Sequence, residues 1–247
     1  MLNYNSVETL PSGRAAAVFQ IDTTTVFKED MDIAPVQIDE GRSYMPWGAD
    51  NQMPYKILKY IEDDETLATC QMVSAEFCYG SGLVYDTEKA GADERQAVGE
   101  FTDNNNLPAY FLGVCQDFKH FGFCVTELIL SNDNSAVTNV LRKEACYCRF
   151  SPANKQGMSE WLHYANWRKT PAPEEVESIP LLNPFNPLAS LQALIADGKL
   201  KGDSHKVCLA TRIPTPDSTY YPIPYYAALF KGRWYNIKQL IAMAKEA

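Results

Sequence analysis

The most suggestive spacing for chemistry is that of the two thiols in Cys146-Tyr147-Cys148. Residues two apart in a β-strand share a face, so both thiols would point the same way. With Cys124 on a partner strand they would form a three-thiolate cluster, a ligand type that Zn²⁺ accepts. However, no Cys-x-x-Cys pair completes such a site, and small buried thiols are common in sheets. We therefore expect no metal and no cofactor, and leave the role of Cys146 and Cys148 open.

Other candidates for catalysis are few. The three histidines, His120, His163 and His205, lie in separate segments, and their spacing specifies no catalytic group. The chain contains no GxxxxGK[ST], GxGxxG, GxSxG or HExxH motif. The acidic run Glu62-Asp63-Asp64-Glu65 is typical of a solvated turn, because an acid–base pair needs burial to separate its two pKa values. The sequence therefore presents no recognisable catalytic motif.

Composition narrows the class of protein. The chain has 247 residues, of which 46% are hydrophobic and 12% aromatic, and its formal net charge is −9. This is the composition of a folded protein, and its acidity is unlike that of a sequence-reading DNA-binding protein. The N-terminal residues 1–14 lack the basic and then apolar pattern of a secretory signal, and no stretch approaches the length of a transmembrane helix. The seven cysteines have no framework spacing and are typical of reduced thiols in a cytosolic protein.

The charges are unevenly distributed along the chain. Residues 1–100 hold 7 basic and 18 acidic side chains, a net charge of −11, whereas residues 101–247 hold 15 and 13, a net charge of +2. Residues 198–247 alone carry 8 basic and 3 acidic side chains, a net charge of +5. Such a difference between the two ends is consistent either with different partners for each end or simply with a solvated acidic region.

Hydrophobic periodicity predicts the elements that must position these side chains. Helical spacing indicates helices at 54–61, 65–78, 94–101, 107–119 and 188–196. Runs of β-forming residues indicate strands at Ile21–Phe27, Phe123–Leu130, Ala136–Phe150, Glu160–Trp167 and Val207–Ile213. The strands between 123 and 167 suggest an antiparallel meander, and the proline-rich stretch 171–187 suggests a surface connection. The apolar residues expected on the packed face of the second helix are Leu67, Cys70, Val73 and Phe77.

The resulting prediction is an α+β fold in three parts. Residues 1–45 would be an extended arm, residues 46–213 an α+β domain, and residues 214–247 a connection rich in proline and tyrosine that leads into a helix. In that helix, Trp234, Ile237, Leu240 and Ile241 recur at helical spacing. Because no capping signal precedes Ala247, we expect the helix to continue in a longer parent protein.

Several short motifs have a predicted structural role. Trp47 is expected to be a core or interface anchor, and Gly48 belongs to the turn that follows it. Asp50 and Asn51 are suited to cap the helix that begins near Pro54. The motif Gly80-Ser81-Gly82 follows the second helix, and both glycines are expected to adopt a positive φ. Tyr221, Pro222 and Pro224 are typical of a rigid, packed turn.

The order of these motifs suggests a family. Along the chain, Trp47-Gly48-Ala49-Asp50-Asn51 is followed by Gly80-Ser81-Gly82, then by Phe121-Gly122-Phe123, Arg149-Phe150 and finally Tyr221-Pro222-Ile223-Pro224-Tyr225. The series resembles the N-terminal part of tailed-bacteriophage portal proteins, particularly those of phages and prophages of the Bacteroides group. The likeness covers about residues 40–247.

The resemblance implies a structural subunit of the virion, assembled in the bacterial cytoplasm and without enzymatic activity or cofactor. Portal proteins form a ring, usually of twelve copies, at one capsid vertex, through which double-stranded DNA is packaged and ejected without sequence specificity. Terminase, capsid and head–tail adaptor proteins would be the further partners. By position, residues 1 to about 210 correspond to the wing, and the helix after Pro224 to the start of the stem. Portals are longer than this chain, which puts contact with DNA by this portion in doubt.

The charge pattern is compatible with a ring. Head-to-tail contacts need two different complementary faces, and an acidic N-terminal region beside a basic C-terminal part would supply them. The basic residues Lys231, Arg233 and Lys238 are therefore candidates for contact with a neighbouring subunit or with DNA, although they also fit the solvated side of an amphipathic helix.

Two alternatives come from other classes. The first is a cytosolic enzyme whose site is assembled from scattered residues such as His163, Cys146 and Glu127, in a deep pocket with perturbed pKa values. The second is a protein-binding module that uses the exposed edge of the meander.

Overall fold

The computed structural model describes residues 3–9, 15–20, 43–86, 90–154, 157, 159–200, 205–216 and 220–229. The chain divides into two compact units, Met1–Pro35 and Val36–Ala247. In the first unit, strands β1 (Asn3–Thr9) and β2 (Ala15–Gln20) pair in an antiparallel hairpin. The strand predicted at Ile21–Phe27 lies outside the described residues.

The second unit is an α+β structure, and this predicted fold class is confirmed. Its described helices are α1 (Met53–Asp63), α2 (Glu65–Tyr79), α3 (Ala92–Asn104), α4 (Leu107–Phe121) and α5 (Pro187–Ala196). Its described strands are β3 (Phe123–Leu130), β4 (Val137–Lys143), β5 (Cys148–Phe150), β6 (Trp161–Tyr164), β7 (Glu177–Pro180) and β8 (Lys206–Arg212). None of the described helices is long and apolar enough to cross a membrane.

The strands form two antiparallel sheets of three strands each, in the orders β4-β3-β8 and β5-β6-β7. The predicted hairpin between β3 and β4 is confirmed. The run expected as one strand over Ala136–Phe150 is instead interrupted by a 3₁₀ turn at Ala145–Tyr147, after which the chain enters the second sheet. The stretch expected as a surface connection supplies β7. The strand predicted at Val207–Ile213 is present as β8, which completes the first sheet.

The packed face of α2 differs from the prediction. Leu67 is buried as expected, but Gln71 and Ala75 are the other buried residues of this helix, whereas Val73 and Phe77 are exposed. The helix packs mainly on α4. The packed face is therefore rotated away from the apolar stripe that periodicity identifies.

Candidate functional site

The turn after Trp47 is held by its own side chains. The Trp47 N–H donates to Asn51 Oδ1 at 2.9 Å, and the Gln52 N–H donates to Asp50 Oδ1 at 3.0 Å. Asn51 has a φ of 60° and Gly48 a φ of 80°. The prediction that Asp50 or Asn51 caps α1 is wrong, because α1 has no side-chain cap. The Asp50 carboxylate and the Asn51 carboxamide accept hydrogen bonds within the turn instead. Pro54 occupies the first turn of α1 as predicted.

The same turn binds a fully buried arginine. Arg149 on β5 donates through Nε to Asn51 Oδ1 at 2.5 Å and through Nη2 to the Asn51 carbonyl at 2.9 Å. Its Nη1 donates to the carbonyls of Cys146 at 3.0 Å and Cys148 at 2.8 Å. Burial lowers the pKa of the Arg149 guanidinium from its ordinary value. Arg149 therefore ties the turn to the start of the second sheet through neutral acceptors.

Aromatic rings surround this arginine. Its guanidinium lies 5.6 Å from the centroid of a Trp47 ring and 5.3 Å from that of a Trp167 ring, within the range of cation–π attraction. The Trp47 and Tyr221 rings are stacked, with centroids 4.7 Å apart and planes 5° apart. Phe123 lies 5.3 Å from Trp47. Trp47 is thus a core residue, one of the two outcomes predicted for it.

The C-terminal turn closes the cluster. The Tyr221 hydroxyl donates to the Met45 carbonyl at 2.6 Å and accepts from the Phe150 N–H at 3.2 Å, and burial raises its pKa. Gly122 has a φ of 77°, and a Cβ there would lie 3.0 Å from Pro222 Cβ. The packed turn predicted for this segment is confirmed by the burial of Pro222 and Pro224.

The structure thus joins four of the five motifs in one group of contacts, which we call the Arg149 cluster. Its members are Met45, Trp47, Asn51, Phe121, Gly122, Phe123, Arg149, Phe150, Trp167, Tyr221 and Pro222. Gly80 and Gly82 lie elsewhere, after α2, and both have a positive φ as predicted. The sequence indicated each motif but not that Arg149 is the residue that links them. All four of its hydrogen bonds go to backbone or carboxamide oxygens, so Arg149 holds these segments together.

The predicted basic contacts Lys231, Arg233 and Lys238 lie outside the described residues. The three-thiolate arrangement is not formed: Cys146 lies in the 3₁₀ turn, and Cys148 and Cys124 lie in different sheets. No group of three metal-ligating side chains occurs in the described part of the chain. Burial raises the pKa of Cys124 and of Cys146 to about 12 and that of Cys148 well above its ordinary value, which disfavours their thiolate forms.

A second polar group, missed by the sequence analysis, joins the two sheets. In the sheet register, Lys143 on β4 lies opposite Val125, and Lys206 on β8 lies opposite Ile129. Val125 and Ile129 are two positions before and after Glu127 on β3. The side chains of Glu127, Lys143 and Lys206 therefore share one face of the first sheet. Lys143 Nζ lies 3.2 Å from the buried Glu127 carboxylate. Both lysines also pair with Glu177 of β7 at 2.8 Å. A glutamate within a mostly apolar strand is the sequence signal from which this cluster could have been found.

The residues named for an enzymatic alternative are not brought together. Glu127 pairs with Lys143, and His163 Nδ1 bonds the Ser178 hydroxyl at 2.9 Å. Burial lowers the pKa of His163, which favours the neutral ring. Among the described residues, no hydrogen bond or ion pair connects any two of His163, Cys146 and Glu127. A groove of about 520 Å³ beside α5 has no histidine or cysteine in its described lining.

The edge strand of the first sheet is partly occupied by a side chain. Asn105 accepts from the Val140 N–H at 2.8 Å and donates to the Thr138 carbonyl at 3.4 Å. These bonds satisfy two of the backbone groups through which an added strand would pair with β4. Strand addition at this edge, the basis of the protein-binding alternative, would therefore have to displace Asn105.

Comparison with known proteins adds no assignment. No protein-family model matches the sequence, and no curated protein matches it significantly.

Proposed function

We propose that this chain is the N-terminal, wing-like portion of a phage portal subunit, a structural protein that forms a homo-oligomeric ring for the packaging and ejection of DNA. The observation that carries the proposal is the Arg149 cluster. Four of the five motifs that resemble those of portal proteins contact one another in this cluster, although they are distant in the chain. This is expected if the motifs specify a fold shared with portal proteins. A catalytic motif would instead leave reactive groups accessible to substrate.

The last described segment is consistent with this assignment. Tyr221, Pro222 and Pro224 anchor residues 220–229 to the Arg149 cluster, and the Tyr226 hydroxyl donates to the His120 carbonyl at the end of α4. Residues 220–229 are thus packed against the Arg149 cluster and the end of α4. In the portal assignment, this segment would be the junction between wing and stem.

The partners follow from the assignment. The chain would contact copies of itself, with terminase, capsid and head–tail adaptor proteins meeting the complete subunit at the capsid vertex of the virion. DNA would pass through the ring without sequence-specific contacts. An acidic protein suits this passage, because bonds from lysine or arginine to phosphate would retain the DNA.

The test is the native mass of the protein expressed from its uninterrupted reading frame, measured beside the 1–247 chain. We expect a frame that extends beyond residue 247 and an assembly near a dozen subunits. A frame that stops at residue 247, together with a monomeric or dimeric species at all concentrations, would overturn the proposal. Negative-stain images of the assembled fraction provide the control, because an aggregate of similar mass would not show closed rings.

A further inference from the structure

Helix α2 buries a polar side chain and exposes apolar ones, which is unfavourable for an isolated subunit. Gln71 is buried, and its Oε1 is without a hydrogen-bond partner in the described structure. On the other side of the helix, Val73 is exposed and the Phe77 side chain is 81% exposed. Burying an unpaired carboxamide costs free energy, and so does leaving a phenyl ring in water. This arrangement is expected where a second surface covers the exposed side.

Other residues of α2 and of the segment after it are also exposed. Cys70, Val73 and Phe77 recur at i, i+3 and i+7 and so share one side of the helix. Leu83, Val84 and Tyr85 follow the helix in an exposed, non-helical segment in which Val84 is 86% exposed. We call the exposed residues Cys70, Val73, Phe77, Leu83, Val84 and Tyr85 the α2 surface. Exposed apolar residues grouped in this way are typical of interaction sites.

Charge restricts what can cover this surface. Residues 60–88 contain seven aspartates and glutamates and no lysine or arginine. The exposed carboxylate of Glu76 therefore lies in a stretch that has no cation of its own. A complementary partner is apolar along one side and basic along its margins.

The chain itself contains such a partner. Residues 230–247 carry four basic residues and one acidic residue, a net charge of +3, and their sequence places Trp234, Ile237, Leu240 and Ile241 at helical spacing. The segment thus matches the α2 surface in polarity and charge.

We propose that residues 230–247 of one copy dock on the α2 surface of the next copy. This inference rests on the proposed function, since it identifies the two faces of the head-to-tail contact that a ring requires. If the segment covered α2 of its own chain, both complementary surfaces would be used within one subunit. Docking between subunits instead repeats around the ring and leaves no copy with an uncovered α2 surface.

Native residues allow a direct test by cross-linking. Cys70 lies on the α2 surface and is exposed, as is Cys78 near the end of α2, whereas the five other thiols are buried. Unlabelled and ¹⁵N-labelled full-length proteins are each disassembled, mixed in equal amounts and reassembled. The mixture is then treated with a maleimide–succinimide linker that joins a thiol to an amine. We expect Cys70 to be linked to Lys231 or Lys238, with about half of the linked peptides carrying mixed isotopes.

Other cross-linking results would contradict the inference. Links to residues 230–247 that carry a single isotope would show that the segment covers its own chain. Links only to lysines elsewhere, or to none, would show that the α2 surface has another occupant or remains open. Omitting the disassembly step provides the control, because preformed rings should then yield no mixed-isotope peptides.

A matched pair of surface variants tests the energetics. Phe77→Asp places a charge on the α2 surface, and Leu188→Asp does the same on α5, where Leu188 is 66% exposed. We expect Phe77→Asp to raise the protein concentration needed for half-assembly at least tenfold, and Leu188→Asp to change it less than twofold. Circular dichroism verifies that both variants remain folded. Equal assembly of Phe77→Asp and the native protein would refute the inference.

The two proposals fail in distinguishable ways. A native protein that remains monomeric, with no mixed-isotope links, removes the ring and with it the docking of neighbouring copies. A protein that forms rings but links Cys70 to other residues, or tolerates Phe77→Asp, retains the proposed function and loses only this interface.

Discussion

Replacing the buried guanidinium of Arg149 should strongly destabilise the second unit. Its side chain donates to the carbonyls of Asn51, Cys146 and Cys148 and to the Asn51 carboxamide. Arg149→Met would fill most of the same volume but donate no hydrogen bond. Three backbone carbonyls would then lose a donor, and each buried acceptor left unpaired costs about 1–3 kcal/mol.

The low end of that range predicts a loss of about 3 kcal/mol in the free energy of unfolding. Such a loss is a large part of the 5–15 kcal/mol that is typical of a whole domain. Replacing a buried ion pair by apolar residues can be neutral, because both charges are removed together. That compensation is absent at Arg149, since its acceptors are backbone groups that remain after the substitution.

Urea unfolding of the 1–247 chain measures this effect. Tryptophan fluorescence is a suitable probe because the rings of Trp47 and Trp167 lie beside the guanidinium, and circular dichroism should give the same transition if unfolding is two-state. Arg149→Lys keeps the charge but loses the planar fork of donors, so we expect an intermediate loss. If Arg149→Met lies within about 0.5 kcal/mol of the native protein, a surface-like effect, our reasoning is wrong.

A matched control is available at Arg168. Its side chain is exposed and lies over the Tyr55 ring at 4.7 Å from the centroid, so it also makes a cation–π contact but in water. Arg168→Met should cost at most about 1 kcal/mol. A similar loss at both positions would mean that the hydrogen bonds of the buried arginine are not the main contribution.

Three further predictions concern backbone strain, pH and thiol reactivity. Gly122→Ala should lower the free energy of unfolding by about 1–3 kcal/mol, since φ is positive there and the new methyl group would lie 2.9 Å from a carbon atom of Ile213. Gly99→Ala, in open space within α3, should stabilise the protein slightly in the same urea assay. Burial opposes ionisation of Glu177, but bonds from two lysines outweigh it and hold the pKa of this carboxyl below its ordinary value. The contribution of ionised Glu177 to stability is therefore full above the ordinary pKa and declines as pH falls through the folded-state pKa. The difference in free energy of unfolding between the native protein and Glu177→Gln should shrink as pH falls from 7 to 3. A constant difference would contradict the ion pairs of Glu177 with the two lysines. In the unassembled 1–247 chain, maleimide at pH 7 should modify only Cys70 and Cys78 before unfolding, as counted by intact mass. More than two rapid additions would contradict the buried placement of the other thiols.

Local patterns were sufficient for much of the secondary structure. The hairpin between β3 and β4 follows from two runs of β-formers around a polar turn, and α5 follows from a proline at its start and a glycine beyond its end. These signals depend on residues close in the chain. The α+β class could therefore be predicted, as could the positive φ of Gly80 and Gly82.

The same patterns could not determine how the elements meet. Periodicity shows that α2 has an apolar stripe, but whether that stripe faces the core or a partner depends on what α4 presents to it. The 3₁₀ turn at Ala145–Tyr147 divides the strands between two sheets. Strand β8, which begins 76 residues after β3 ends, pairs with β3. Such pairings depend on register and burial across the whole fold, which a local window does not contain.

The Arg149 cluster illustrates the same division. The sequence alone identified its tryptophan turn, its glycine between two phenylalanines and its proline–tyrosine turn as ordered motifs. Only the tertiary structure decided that Asn51, 98 positions away, accepts from Arg149 rather than capping α1. The physical reason is that a buried guanidinium must find acceptors wherever the fold brings them, whereas an asparagine in a turn has several possible donors nearby.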